Sequence, residues 1–147
     1  MRLTKHSDYA LRVLLYVAAA PGRQVSTEEI GAAYGISTHH LFKVVGKLGK
    51  HGLLSIKRGR GGGMELGRPA AEIRIGDVVM LTEPDFALVE CLEEGNDNCP
   101  LTGACALVPP LVRARKAFVA VLNEYTLADA VGPRNEARYR RLLQIAE

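Results

Sequence analysis

Residues 37–66 read Ser37-Thr38-His39-His40-Leu41-Phe42-Lys43-Val44-Val45-Gly46-Lys47-Leu48-Gly49-Lys50-His51-Gly52-Leu53-Leu54-Ser55-Ile56-Lys57-Arg58-Gly59-Arg60-Gly61-Gly62-Gly63-Met64-Glu65-Leu66. Two stripes are interleaved in the first half. Leu41, Val44, Val45 and Leu48 recur at helical spacing and form an inward face, while Lys43, Lys47 and Lys50 form a separate outward one. Gly52 stops this helix. Two short extended runs come next, Leu53 to Lys57 and Met64 to Leu66, joined by a basic, glycine-rich tip. A helix and hairpin of this kind need further helices against which to bury the inner stripe.

The preceding residues provide them. Ser7 is placed to cap a first helix running to about Ala20, where Pro21-Gly22 stops it. Ser26-Thr27-Glu28-Glu29 opens a short second helix, with Ser26 and Glu29 spaced as a capping box. Gly35 ends it, and a tight turn leads to Ser37 and the third helix. Three helices with a short turn before the third, then a basic hairpin, predict a winged helix-turn-helix over residues 1–68.

Pro69 marks a seam. Ile73, Ile75, Val78, Val79 and Leu81 predict a helix to about Glu83, which Pro84 breaks. Residues 91–105 are full of turn formers and read as a loop. Pro109-Pro110 then open a long helix on which Leu111, Phe118 and Tyr125 are seven apart, with Ala114, Val121 and Leu122 beside them. Two heptads suit a dimerisation arm with further contacts. Thr126 and Asp129 begin another short helix that Gly132-Pro133 closes, and residues 133–147 form a tail, helical or frayed, with no function read in it. The expected fold is mainly α with one small β-hairpin: a DNA-binding head at 1–68, a loop and dimerisation helix at 69–132, and the tail.

Composition narrows the function. The 147 residues (15.9 kDa) are 48% hydrophobic and 24% charged, enough to bury a core. The net charge of +3 hides two halves of opposite sign. Residues 1–68 carry 11 Lys and Arg against 4 Asp and Glu; residues 69–147 carry 8 against 12. The basic half favours a polyanionic partner. A collagen, a coiled-coil rod, a disulfide-dense toxin and an integral membrane protein are excluded. The apolar run Val13 to Ala20 comes after Arg2, Lys5 and Arg12 as in a secretion signal, but Asp8 interrupts the leader and Leu11, Leu14, Leu15 and Ala18 form a packed-helix stripe. A cytoplasmic protein with reduced thiols and no membrane partner is expected.

Between residues 43 and 60 stand six Lys or Arg and no acid, a patch that predicts salt-dependent binding to double-stranded DNA. Ser37, Thr38, His39 and His40 begin the third helix, the end that meets base edges in helix-turn-helix proteins. Lys43 and Lys47 on the helix and Arg58 at the hairpin are placed for phosphates. Arg60, beside Gly61, suits minor-groove insertion because the glycines let the backbone approach closely. Taken singly, a lysine stripe is a solvated face and a glycine run a flexible loop or phosphate cradle. Their order on one frame favours DNA.

Cys91, Cys99 and Cys105 fit C-x7-C-x5-C, and these are all the cysteines in the chain. Thiolates suit iron–sulphur clusters or zinc, but the paired C-x2-C knuckles of a zinc ribbon are missing. The alternative is three small buried thiols, which a stretch this polar disfavours. Three thiolates leave one cluster position for another ligand.

From Met1 through Arg12, across the hairpin run Arg58 to Leu66, through Pro69 to Val78, and on to Asp129, the chain resembles the family of winged-helix iron–sulphur transcriptional regulators. Cys99-Pro100-Leu101-Thr102-Gly103-Ala104-Cys105 resembles the nitric-oxide-sensitive branch. Cluster-assembly regulators of the family carry a His after the third cysteine, where Ala106 stands here. The resemblance implies a homodimeric repressor on a palindromic operator, with Cys91, Cys99 and Cys105 as cluster ligands. It also implies that Asp8, of the same or the partner subunit, completes a 4Fe-4S cluster; His6, Glu93, Glu94 and Asp97 are the other candidates. Alone, Asp8 reads equally well as a helix N-terminal acid. The first cysteine gap is longer than the family pattern, which keeps a 2Fe-2S cluster open. A regulator of redox state or iron–sulphur supply, and a zinc- or thiol-based repressor, remain alternatives. An enzyme is disfavoured: no nucleophile–base pair, P-loop or dinucleotide fingerprint is present.

Overall fold

The computed structural model describes residues 2–59, 61–96 and 98–145. The order is α1 (Lys5–Ala18), α2 (Thr27–Tyr34), α3 (Thr38–Lys50), β1 (Leu54–Lys57), β2 (Gly63–Leu66), α4 (Ile75–Thr82), α5 (Val108–Leu122), α6 (Leu127–Val131) and α7 (Pro133–Leu142). Short 3-10 turns at Ala70–Glu72 and Glu90–Leu92 lie between them. The mainly helical fold with a single hairpin is the one expected from the sequence. Among the described residues no helix is long and apolar enough to cross a membrane.

The first helix starts differently from the expectation. Thr4, not Ser7, is its N-cap: the Thr4 hydroxyl accepts from the Ser7 amide at 3.3 Å. Ser7 is fully buried in the first turn, and its hydroxyl accepts from that of Thr82 at 2.9 Å. The helix also stops at Ala18, two residues early. The capping box of α2 is only half made. Ser26 accepts from the Glu29 amide at 3.1 Å, but the Glu29 carboxylate turns away to Arg23 and to the Tyr16 hydroxyl at 2.7 Å. By contrast, Thr126 and Asp129 on α6 make both halves of their box.

Gly35 closes α2 at φ 64°, the left-handed conformation that L side chains avoid, and so makes the tight turn before α3. Ser37 is the N-cap of α3, which already begins at Thr38. The hairpin pairs Leu54 with Leu66 and Ile56 with Met64 in antiparallel register. Val25 exchanges two backbone bonds with Met64, at 2.8 and 2.9 Å, so the loop after α1 holds the wing's second strand.

One buried cluster joins the head to the C-terminal helices. Val13, Leu14, Val17, Ile30, Leu41, Val44 and Leu48 pack with Ile73, Val78, Leu127, Val131 and Ile145. The expected inward stripe of α3 is thus the buried one. α4 begins at Ile75 rather than Ile73, because the Ile73 carbonyl accepts from the Leu127 amide at 2.8 Å and is drawn into the α6 junction. The α7 segment, within the tail expected to be helical or frayed, is a regular helix whose Tyr139 packs on this core, as does Leu143 just beyond it.

Candidate nucleic-acid interface and cysteine loop

The α3 helix separates its faces cleanly. Leu41, Val44, Val45 and Leu48 are buried, whereas His39, His40, Lys43 and Lys50 are exposed and Lys47 is half-exposed. Ser37 is exposed and Thr38 half-buried at the helix start. The base-facing and phosphate-facing candidates therefore share one open surface. Arg58 is exposed at the end of the hairpin, and Gly61 is exposed in its tip with φ 76°. Arg60 lies outside the described residues.

One contact and one exposed side chain escape the sequence reading. The Tyr9 ring on α1 stands 6.4 Å from that of His40, centre to centre, which brings the first helix against the start of α3. Phe42, to which the sequence reading gives no role, is 56% exposed among His39 and Lys43. Helical arithmetic carries the missing signal: at 100° per residue Phe42 falls on the outward side.

Asp8 lies in the first turn of α1 and is half-exposed. Its carboxylate takes two contacts from Arg12, at 2.9 and 3.1 Å, and the Arg12 guanidinium stacks 5.6 Å from the centre of the Tyr34 ring. Burial lowers the His6 pKa and the Lys47 ammonium adds to that, while the Glu83 carboxylate opposes it. Glu83 also accepts from the amide and the hydroxyl of Thr4, at 2.8 and 3.2 Å. The residues that lead towards the cysteine loop thereby hold the start of α1.

Cys91, Cys99 and Cys105 are all half-buried and free of disulfides. Cys91 and Cys99 line one open cavity of about 510 Å³ together with Val89, Glu90, Asn96 and Asn98. Cys105 stands at the foot of α5, where its carbonyl accepts from the Val108 amide at 3.3 Å. Three soft thiols on a single loop are the kind of donor set that iron–sulphur clusters use, so the residues fit such a group in chemistry. Among the described residues no three His, Cys, Asp or Glu side chains converge on a metal position. The loop must bring the thiols together to use them. Glu93 and Glu94 are exposed in it, and Asp97 lies outside the described residues.

The arm is open. Among the described side chains of α5 none is buried; Leu111, Phe118 and Leu122 are half-buried, and Ala114 and Val121 are exposed. Tyr125, just beyond the helix, is 56% exposed. Phe118 packs against Phe86 of the same chain with ring centres 5.8 Å apart. Leu122 and Tyr125 border an apolar groove of about 340 Å³ with Leu11, Leu15, Ile75 and Leu127. Asn123 fixes the far end of the arm: its Oδ1 accepts from the Asp77 amide, and its Nδ2 donates to the Asp77 carboxylate, each at 3.0 Å.

Residues 3–133 match the model of a family described as Rrf2, iron-dependent transcriptional regulator. The chain belongs to the Rrf2 family. It is 42% identical over 148 residues to the HTH-type transcriptional regulator NsrR of Bacillus subtilis, covering all of both chains. Protein aau3 of Rhizobium meliloti is 45% identical over 139 residues, 95% of this chain and 90% of that one. Among solved structures, CymR, the global cysteine regulator of B. subtilis, is similar with a TM-score of 0.70 and 27% identity, over 88% of this chain and 95% of that one. The Rrf2 protein described here is accordingly a DNA-binding transcriptional regulator and not an enzyme.

Proposed function

We propose that this Rrf2 protein is a cytoplasmic, homodimeric repressor that holds an iron–sulphur cluster and releases its operator in response to nitric oxide. The observation that carries the reading is the cysteine loop: three free, half-buried thiols joined directly to the open arm α5, in a chain whose α3 presents a basic face. Ser37, Thr38, His39 and His40 meet base edges. Lys43, Lys47 and Arg58 meet phosphates, and Arg60 with Gly61 tracks the minor groove. The apolar seam Leu111, Ala114, Phe118, Val121, Leu122 and Tyr125 pairs two copies, setting two α3 helices about one DNA turn apart on a palindrome.

Cys91, Cys99 and Cys105 hold the cluster, a 4Fe-4S type with 2Fe-2S as the alternative, and Asp8 supplies the fourth ligand. When bound, such a group would supply iron open to attack by nitric oxide. The chain's own part is mechanical. A loop ordered by its three thiolates fixes the start of α5 at one end. At the other end it steadies the Glu83 carboxylate that holds Thr4. α1 then bears on α3 through the shared core and through Tyr9 against His40. Slackening the loop frees both connections, and the two heads lose their common spacing. Asp8 has to leave Arg12 to serve as a ligand, a small obstacle because a half-exposed pair contributes only about 0–1 kcal/mol.

The test uses protein purified without oxygen. Its iron and labile sulphide are counted, and its absorption spectrum and its binding to a duplex selected from a random pool are monitored as nitric oxide is added. Bleaching of a visible band in step with loss of DNA binding is expected. A coloured protein whose DNA binding ignores nitric oxide removes the signal and points to redox state or iron–sulphur supply. A colourless protein that still binds DNA after reconstitution overturns the cluster reading in favour of zinc or thiols.

A further inference from the structure

A large apolar ring left in water is unremarkable by itself, since surfaces of folded proteins contain many such atoms. Phe42 is distinguished by its position. Among the described residues of α1 to α3 it is the one large hydrophobic side chain left exposed, at 56%, while every apolar residue of the inward stripe of α3 is buried. It stands one turn inside the helix from its Ser37 cap. His39 precedes it by three residues on the same face, and Lys43 is its immediate neighbour. One turn further on is Gly46, whose missing side chain leaves open space around it. The outward face thus carries a phenyl ring along one edge, beside polar and cationic groups, with open space one turn further on.

A phenyl ring neither donates nor accepts a conventional hydrogen bond, so the polar edges of the bases offer it little. The major groove presents one apolar feature, the 5-methyl group of thymine, which distinguishes thymine from cytosine at that position. We infer that Phe42 is a specificity-determining residue that reads a thymine 5-methyl group in each operator half-site. Lys43 beside it anchors the helix on phosphate and carries no sequence information. The inference rests on α3 being the helix that enters the major groove, and changes made separately in the DNA and in the lysines distinguish the two ideas.

A duplex is selected from a random pool with the intact protein, and each thymine of a half-site is replaced in turn by deoxyuridine, which lacks only the methyl group. At one thymine the wild-type protein should lose about 5- to 10-fold in affinity, within the range expected for losing part of one base contact. Phe42→Ala should bind the thymine duplex about as weakly as the wild type binds the uridine one, and should show no further loss on uridine. Phe42→Leu, which keeps an apolar contact, should retain a reduced methyl preference. Thermal melting of both variants should match the wild type, because the ring is exposed. The inference is overturned if no uridine substitution weakens the wild type, or if Phe42→Ala suffers the same uridine penalty as the wild type. If selection enriches no duplex, or if Lys43→Ala with Lys47→Ala leaves affinity and its salt dependence unchanged, α3 is not in the groove and both ideas fall together.

Discussion

The three-helix head and the α5 arm place apolar residues in opposite settings. In the head, Leu41, Val44 and Leu48 of α3 vanish against α1 and α2, and the face they leave outside is polar apart from Phe42. In the arm, Leu111, Val121, Leu122 and Tyr125 keep an equally regular spacing, yet none is buried, and an apolar groove opens beside the last two. Both patterns look alike on paper. The head buries its apolar stripe within one chain, whereas the arm leaves apolar surface uncovered. Stability should therefore reside in the head and assembly in the arm.

Truncation in the head should have the largest effect. Leu41→Ala removes a fully buried side chain and should cost about 2–5 kcal/mol of unfolding free energy. Val121→Glu with Tyr125→Glu alters only exposed positions and should change the stability of the single chain by less than about 0.5 kcal/mol. The double variant should nevertheless sediment as a monomer. Denaturant melts at low protein concentration, compared with sedimentation at high concentration, check both halves of the contrast. Equal losses of stability in the two variants would break it.

Next comes the polar knot inside the head. Burial pushes the Tyr16 hydroxyl up to about 12, and its hydrogen bond to Glu29 adds to this. Burial also acts to raise the Glu29 carboxyl, but the hydrogen bonds from Arg23 and Tyr16 and the Arg23 charge outweigh it and hold the carboxyl below its ordinary value. Linkage sets the signs. Glu29, depressed in the fold, lends stability that is present above its unfolded pKa and lost as pH falls through the folded one. Tyr16, raised in the fold, lends stability that is present below pH 10 and lost as pH rises towards 12. Tyr16→Phe should cost about 1.5–3 kcal/mol at neutral pH, because a charged acceptor loses its donor. It should also flatten the alkaline fall. Urea melts of both proteins from pH 7 to 11 decide this, and an unchanged alkaline slope refutes it.

This knot also shows why parts of the structure could not be read along the chain. Thr126 and Asp129 sit three apart and satisfy each other, so the start of their helix is legible. Ser26 and Glu29 have the same spacing, but Arg23 and Tyr16 capture the carboxylate, and Tyr16 is 13 residues from it in sequence. Ser7 looked like a cap because its long-range partner, Thr82, cannot be seen locally. The buried stripe of α3 and its lysine face were legible because helical periodicity is local. Phe42 belongs to neither stripe, and only its angular position on the helix, not its apolar chemistry, places it outside. The spacing of the three cysteines raises the expectation of a cluster-binding loop, but among the described residues the thiols do not converge on one metal position, and nothing in the order of residues shows that they would.

Asp8 offers the smallest effect on stability and the sharpest link between head and loop. Its pair with Arg12 is an exposed i, i+4 contact, in which the acid precedes the base as the helix dipole prefers. Such pairs contribute about 0.2–0.5 kcal/mol, so Asp8→Ala should barely move the melting curve of protein prepared without a cluster. If the carboxylate has no other role, the same small change should appear in cluster-loaded protein, with the visible spectrum and the nitric oxide response untouched. If Asp8 completes the cluster, the variant should keep its apo stability yet show a shifted spectrum and an altered nitric oxide dose for release of DNA. Arg12→Ala separates the two further, because it removes the same pair and leaves the carboxylate free to serve as a ligand. A spectrum changed by Asp8→Ala and preserved by Arg12→Ala assigns the carboxylate to the loop; two unchanged spectra assign it to the helix alone.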